Sequence, residues 1–281
     1  MSLENITIEH NEWIDNLVAK FEQQLSDIVA KATARLQERL HGQLKLGKNG
    51  TVLRTPANMR VIKKLDQWYM EALDAEGYLQ LLASFIQQFP GQMKFFTEVL
   101  DDLGSSLKQP IPKINFTLVD LRSFSDYAAG ASHSLETLMS NAAAVVKNRV
   151  LLSFAGMKYT DLVTAIASGL TKSVSQAASL ADTATATYYR ILSNEGFQKL
   201  EKLYPGALRY RYYGPPATDP LIRPFCKKLE QQAATGKTWT RPEIDAMDNK
   251  STLGDVFTSG GGWRCRHQWI VVLQDAGKAA A

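Results

Sequence analysis

Residues 181–213 read ADTATATYYRILSNEGFQKLEKLYPGALRYRYY, and the character of the chain changes inside them. The first part is rich in Ala and Thr, carries no Gly or Pro before Gly196, and reads as helix. Small side chains of this kind let helices pack closely. Tyr204-Pro205-Gly206 then interrupts the pattern. From Leu208 the residues alternate and aromatics dominate, in LRYRYYGPP (Leu208 to Pro216), which is the signature of a strand. A helical region therefore ends near residue 204 and a part with strands begins at 205.

Toward the N-terminus the chain stays helical. Residues 119–200 form one long helical stretch, enriched in Ala, Ser and Thr, with Gly156 and Ser168-Gly169 as candidate helix ends. QPIPKINF (Gln109 to Phe116) reads as an extended connector, and Pro90 suits the first turn of a helix. Val61, Leu65, Trp68, Tyr69 and Leu73 share one helical face. LKLGKNGTVLRTP (Leu44 to Pro56) is a loop or short hairpin, since two glycines, Asn49-Gly50 and a proline crowd into it. In the first segment Ile14, Val18, Phe21, Leu25, Ile28 and Ala32 alternate steps of four and three. Such a seam predicts a helix over about 11–43, roughly 50 Å long at 1.5 Å per residue. It serves either an intramolecular hairpin or a coiled-coil arm against a partner subunit. Under four heptads of pattern leave both open.

Toward the C-terminus, RPFCKKLEQQA reads as a short helix. Thr240 is placed to cap another, TRPEIDAMD, with Pro242 in its first turn and Glu243 completing a capping box. A Gly/Ser-rich loop follows Asn249, and WRCRHQWIVVL (Trp263 to Leu273) reads as a last strand. On such a strand Cys265, His267 and Trp269 face one way, and Arg264, Arg266 and Gln268 the other. The expected fold is mainly α: a long-helix N-terminal region over 1–204 and a small α+β C-terminal domain over 205–281.

Composition narrows the class. Hydrophobic residues make up 45% and charged residues 21% of the 281, close to globular averages, so wholesale disorder is excluded. No apolar run reaches the roughly 18 to 20 residues that span a bilayer, and the first residues lack the pattern of a secretory signal. Membrane partners are not expected. Two cysteines, Cys226 and Cys265, exclude a disulfide-rich scaffold. Residues 1–200 balance, with 20 Lys+Arg and 20 Asp+Glu, whereas residues 201–281 hold 12 against 8, so the whole net charge of +4 lies there. That excess suits DNA or an acidic partner nearby but is too thin to diagnose a nucleic-acid face.

One constellation carries chemical potential. Asp219, Arg223, Cys226, Lys227 and Gly236 precede Gly260-Gly261-Gly262-Trp263-Arg264-Cys265-Arg266-His267. The cysteines could pack as a reduced pair, since free cysteine is a small buried hydrophobe. A disulfide would close a loop worth roughly 4 kcal/mol in the chain-entropy picture. Zinc would need His267 and an acidic residue such as Asp219 or Asp255 beside the two thiolates, and the absence of a CxxC pattern argues against it. No cofactor is expected, with zinc the one metal the residues suit. A Cys-His dyad lacks a visible oxyanion hole and a placed orienting carboxylate. Phosphate-loop, dinucleotide, GxSxG and HExxH motifs are absent, so catalysis is not expected. His10, His41 and His133 read as surface or boundary residues. Arg209, Arg211, Arg264 and Arg266, interleaved with aromatics, are candidate nucleic-acid contacts, or the solvated face of two strands.

Taken together, LADTATATYYRIL, LRYRYYG, Asp219 with RPFCKKLE, Gly236, TRPEIDAM and GGGWRCRHQW match in order and spacing a known pattern over about residues 178–272. This region resembles the C-terminal part of the phage Mu F-like minor head proteins, the head-morphogenesis family. Asp219, Arg223, Cys226, Gly236, Cys265, Arg266 and His267 carry the resemblance. Many members have two cysteines at each site and a His-Pro before the second pair; this chain has one at each, and its histidine follows. The resemblance implies a minor structural protein of a tailed-phage virion, acting in head morphogenesis at the portal vertex or head interior. Portal or capsid proteins, and packaged DNA, would be its partners in a larger assembly built in the host cytoplasm. Two alternatives remain: an enzyme or toxin-like domain using the Cys/His cluster, and an internal DNA-binding virion protein.

Overall fold

A computed structural model describes residues 2–107, 111–215, 218 and 222–273. The chain is mainly α, with a small two-stranded sheet near the C-terminus. Helices α1 (Leu3–Gln43), α2 (Pro56–Ile62), α3 (Leu65–Ala75) and α4 (Tyr78–Ile86) are followed by a 3-10 turn at Phe89–Gln92 and by α5 (Met93–Leu107). Two long helices come next, α6 (Leu118–Ser153) and α7 (Tyr159–Leu203). Strand β1 (Leu208–Tyr213), helices α8 (Pro224–Ala234), α9 (Arg241–Asp245) and α10 (Val256–Ser259), and strand β2 (Gln268–Leu273) complete the fold. The chain forms two compact units, one of residues 1–16, 88–129 and 182–281, the other of 17–87 and 130–181. The strands begin where the texture of the sequence changes, and the unit that contains them also takes in residues 182–204 and both earlier segments.

In the unit of 17–87 and 130–181, α1 buries Phe21, Leu25, Val29, Ala32, Leu36 and Leu40. The buried residue is Val29, and Ile28 stands half-exposed. A straight helix drifts off a strict seven-residue repeat in this way, and this face is covered by the chain itself. Phe21 meets Phe85 of α4, with ring centroids 4.6 Å apart. Arg39 lies over the Trp68 ring of α3 and bonds Glu71 at 2.7 Å. Each fully buried large side chain contributes about 1.5–3 kcal/mol relative to exposure. The stretch between Leu44 and Pro56 is a hairpin, closed by the bridge Leu46↔Val52. Buried Asn58 pins it: its Oδ1 accepts from the Lys45 amide, and its Nδ2 donates to the carbonyls of Lys45 and Leu53, all at 2.8 Å. Gly156, at φ 82°, lies in the α6–α7 turn as expected.

Ser168-Gly169 is not a helix end, since α7 runs through it. A Cβ on Gly169 would sit 2.5 Å from Val146 Cγ2. The glycine is there because α6 and α7 approach closely, at the expense of helix propensity.

In the other unit, β1 and β2 pair antiparallel from Leu208↔Leu273 to Tyr213↔Gln268. Leu208, Tyr210 and Tyr212 point inward and alternate with Arg209, Arg211 and Tyr213. Tyr210 also bridges Trp239, and its ring meets Phe257 edge-on at 5.2 Å. The expected capping box of α9 is present in full.

Four further expectations need correction. The first helix starts at Leu3, not near residue 11, because Ile6 and His10 are buried. His10 is therefore not a surface residue; its Nε2 donates to Gln92 Oε1 at 2.9 Å, and the ring packs on Tyr189. The Gly/Ser-rich loop contains α10, capped by Asp255, whose Oδ1 accepts from the Thr258 amide at 3.0 Å. The last strand spans only Gln268–Leu273. Arg264 has φ 54°, a left-handed conformation no strand contains, so residues 263–267 form a loop.

Candidate functional site

The two segments that stood out in the sequence meet in one buried cluster. Arg223, in extended conformation before α8, leads into a helix whose third residue is Cys226. The 260–267 loop brings Cys265 to it, with the sulfurs 3.7 Å apart and both thiols free. His267 Nδ1 lies 3.9 Å from Cys265 Sγ. Among the described residues these three offer ligand atoms all within 4.8 Å of one another, and all three are buried.

The loop needs its glycines. A Cβ on Gly261 would sit 2.1 Å from Cys226 Sγ. Its amide donates to Cys265 Sγ at 3.0 Å, and its carbonyl accepts from Arg223 at 2.5 Å. Gly260 and Gly262 take φ values of 56° and 96°. Gly214 is equally constrained, because a Cβ there would meet His267 Cγ at 2.6 Å. Asn249 braces the loop by donating to Ser259 Oγ at 2.8 Å and to the Gly260 carbonyl.

Arg190 of α7 holds the other side. It is buried, and its guanidinium donates to the His267 carbonyl at 3.1 Å and to the Cys265 carbonyl. His267 Nε2 lies 3.0 Å from the Pro215 carbonyl. A carbonyl only accepts, so Nε2 donates to it, and Nδ1 is the nitrogen that faces the sulfurs. The Tyr212 ring stacks on His267 at 5.0 Å, and its hydroxyl lies 3.4 Å from Cys226 Sγ and 3.6 Å from Cys265 Sγ.

The thiols are not equivalent. The Cys226 S–H beside it holds the Cys265 thiol well below the ordinary cysteine range, against the opposing effect of burial, with His267 and Arg190 acting in the same direction as Cys226. Cys226 is pushed far up, first by that same bond to Cys265 and then by burial.

The cluster borders a cavity of about 350 Å3, which Arg223, Trp263, Arg264 and Asp182 also line. Asp182 is buried, and neither carboxylate oxygen has a hydrogen-bond partner among the described residues. Arg264 Nε lies 3.5 Å from it.

Of the other residues singled out, Asp219 lies outside the described residues. Gly236, at φ 86°, ends α8 away from the cluster, and Lys227 is exposed. Asp255 caps α10. The four candidate nucleic-acid arginines each face a carboxylate: Arg209 faces Glu243 at 3.8 Å, Arg211 Glu4 at 3.3 Å, Arg264 Asp182 at 3.5 Å and Arg266 Asp15 at 2.7 Å. Asp182, Arg190 and Pro215 were not foreseen as site residues. The signal for the first two was present, since Asp182 and Arg190 are the only charges between Lys172 and Glu195, two helical turns apart. Every residue from Ala181 to Arg190 is buried.

No helix among the described residues is long and apolar enough to cross a membrane. Neither a family model, nor a curated protein, nor a solved structure matches the chain.

Proposed function

We propose that this chain is a minor structural protein of a tailed-phage virion, acting in head morphogenesis at the portal vertex or head interior. The observation that carries the reading is the meeting of its two motif segments. RPFC and GGGWRCRH, which bear the resemblance to the Mu F-like family, close on each other through the Cys226–Cys265 pair and the Arg223–Gly261 bond. Residues chosen for joining two segments account for the pattern without a reaction. Portal or capsid proteins of the same particle are the partners this reading supplies, and packaged DNA is a neighbour.

The test is quantitative mass spectrometry of purified particles from the source, scaled to the major capsid protein. A few to a few tens of copies per particle is the expected result. Absence from particles, with the chain abundant in cells, overturns it.

One observation favours a second reading. The acidified Cys265 thiol beside His267, at the edge of a cavity, has the ingredients of a thiol nucleophile. That reading requires selective alkylation of Cys265 in the folded protein at neutral pH, and a Cys265 that stays unmodified until denaturation refutes it.

A further inference from the structure

The geometry points to a binding site for one zinc-class divalent cation, held by the thiolates of Cys226 and Cys265 and by Nδ1 of His267. The inference does not depend on the virion role.

The distances fit a metal. Two thiolates on a tetrahedral zinc, each about 2.3 Å from it, stand roughly 3.8 Å apart, and a thiolate and an imidazole nitrogen roughly 3.6 Å apart. The sulfurs here are 3.7 Å apart, and Cys265 Sγ is 3.9 Å from Nδ1. A disulfide would require the sulfurs at about 2.05 Å. The histidine's orientation fits a ligand as well. A ligating imidazole characteristically donates its other N–H to a carbonyl or carboxylate, which fixes its tautomer. Nε2 does this to the Pro215 carbonyl. The backbone amide of Gly261 points at Cys265 Sγ from 3.0 Å, a donor suited to a sulfur that carries negative charge. Soft thiolates with imidazole select zinc-class ions over magnesium or calcium.

All three ligand residues line the cavity. Among the described residues no further Cys, His, Asp or Glu joins the set. Asp182, buried and without a hydrogen-bond partner for either oxygen, lines the same cavity. It remains outside the ligand set.

The experiment uses the full chain, purified under reducing conditions without chelator. Elemental analysis is expected to return one zinc per chain. Cobalt replacement should give thiolate-to-metal charge transfer and the intense visible bands of a tetrahedral site. Cys226→Ser, Cys265→Ser and His267→Gln should each weaken cobalt binding by more than the roughly 10- to 100-fold that loss of an outer partner costs. Asp182→Asn should keep the metal. Should a ligand variant fail to fold, the wild-type chain still decides: its Tm should fall on chelation and return with zinc. A reduced wild-type chain that holds no zinc, gives no charge-transfer band with cobalt and melts alike with and without chelator overturns the proposal. Loss of metal in Asp182→Asn equal to that in the cysteine variants overturns the three-ligand assignment.

Discussion

A single histidine sets part of this protein's response to acid. Burial, the largest cause, lowers the pKa of His10 from 6.5 to about 4, and the Arg190 charge works in the same direction against the bond to Gln92. The folded state therefore resists protonation that the unfolded state accepts. Above pH 6.5 both states hold a neutral ring and nothing is lost. Between pH 6.5 and 4 stability falls as the unfolded chain gains the proton, by about 3 kcal/mol in all. Urea denaturation at several pH values should show this slope, and a His10→Gln variant should show a shallower one across the same window. An unchanged slope in the variant would place the acid sensitivity elsewhere. Residue identity alone gave no hint of the burial of His10. The residue lies before the legible part of its helix, and Gln92, Phe95 and Tyr189, which surround it, come from distant positions. Cys226, Cys265 and His267 were legible as a group, because those residue types are rare in this chain. The non-equivalence of the two thiols was not, since it arises from the direction of the Cys226–Cys265 bond and from His267 and Arg190 beside Cys265.

At the scale of elements, periodicity located the strand β1 and most of each long helix, though not the start of α1, because burial on one face leaves a regular trace. It failed where a local rule yields to packing. Gly169 looked like a helix end and is instead a contact point. Replacing it with alanine should raise helix propensity by about 1 kcal/mol, yet the added methyl collides with Val146. A net loss of about 1–3 kcal/mol is expected from such overpacking. The double variant Gly169→Ala, Val146→Ala should recover part of the loss, which a thermal-denaturation cycle would measure; additive effects would show that the two helices do not meet there. The final strand was read too long for a related reason. Alternation in WRCRHQW mimics a strand, but Arg264 turns left-handed so that the loop can reach Cys226.

For the whole molecule, the pairing of charges decides more than their number. The +4 excess lies in the C-terminal third, yet Arg209, Arg211, Arg264 and Arg266 each face an acidic side chain. Binding to duplex DNA should therefore be weak, with a log–log salt dependence shallower than about −2 in fluorescence anisotropy. A slope near −6 would mean that these arginines leave their carboxylates for phosphate. The fold class was legible because helices this long leave few alternatives. The grouping of residues into compact units was not, since nothing local ties residues 2–16 to residues near the end of the described chain.

That tie orders events during synthesis. Arg266 bonds Asp15 across 251 positions, and Arg211 reaches Glu4. Glu4 and Asp15 cannot make these two bonds until Arg211 and Arg266 have been synthesised, although His10 and Trp13 can already meet Gln92 and Phe95. Contacts of such sequence separation form slowly. A nascent chain stalled before residue 263 lacks the Arg266–Asp15 bond and should therefore leave its first helical turns more open to protease than the longer chain does, while the segment from Leu17 to Gln87 is already protected.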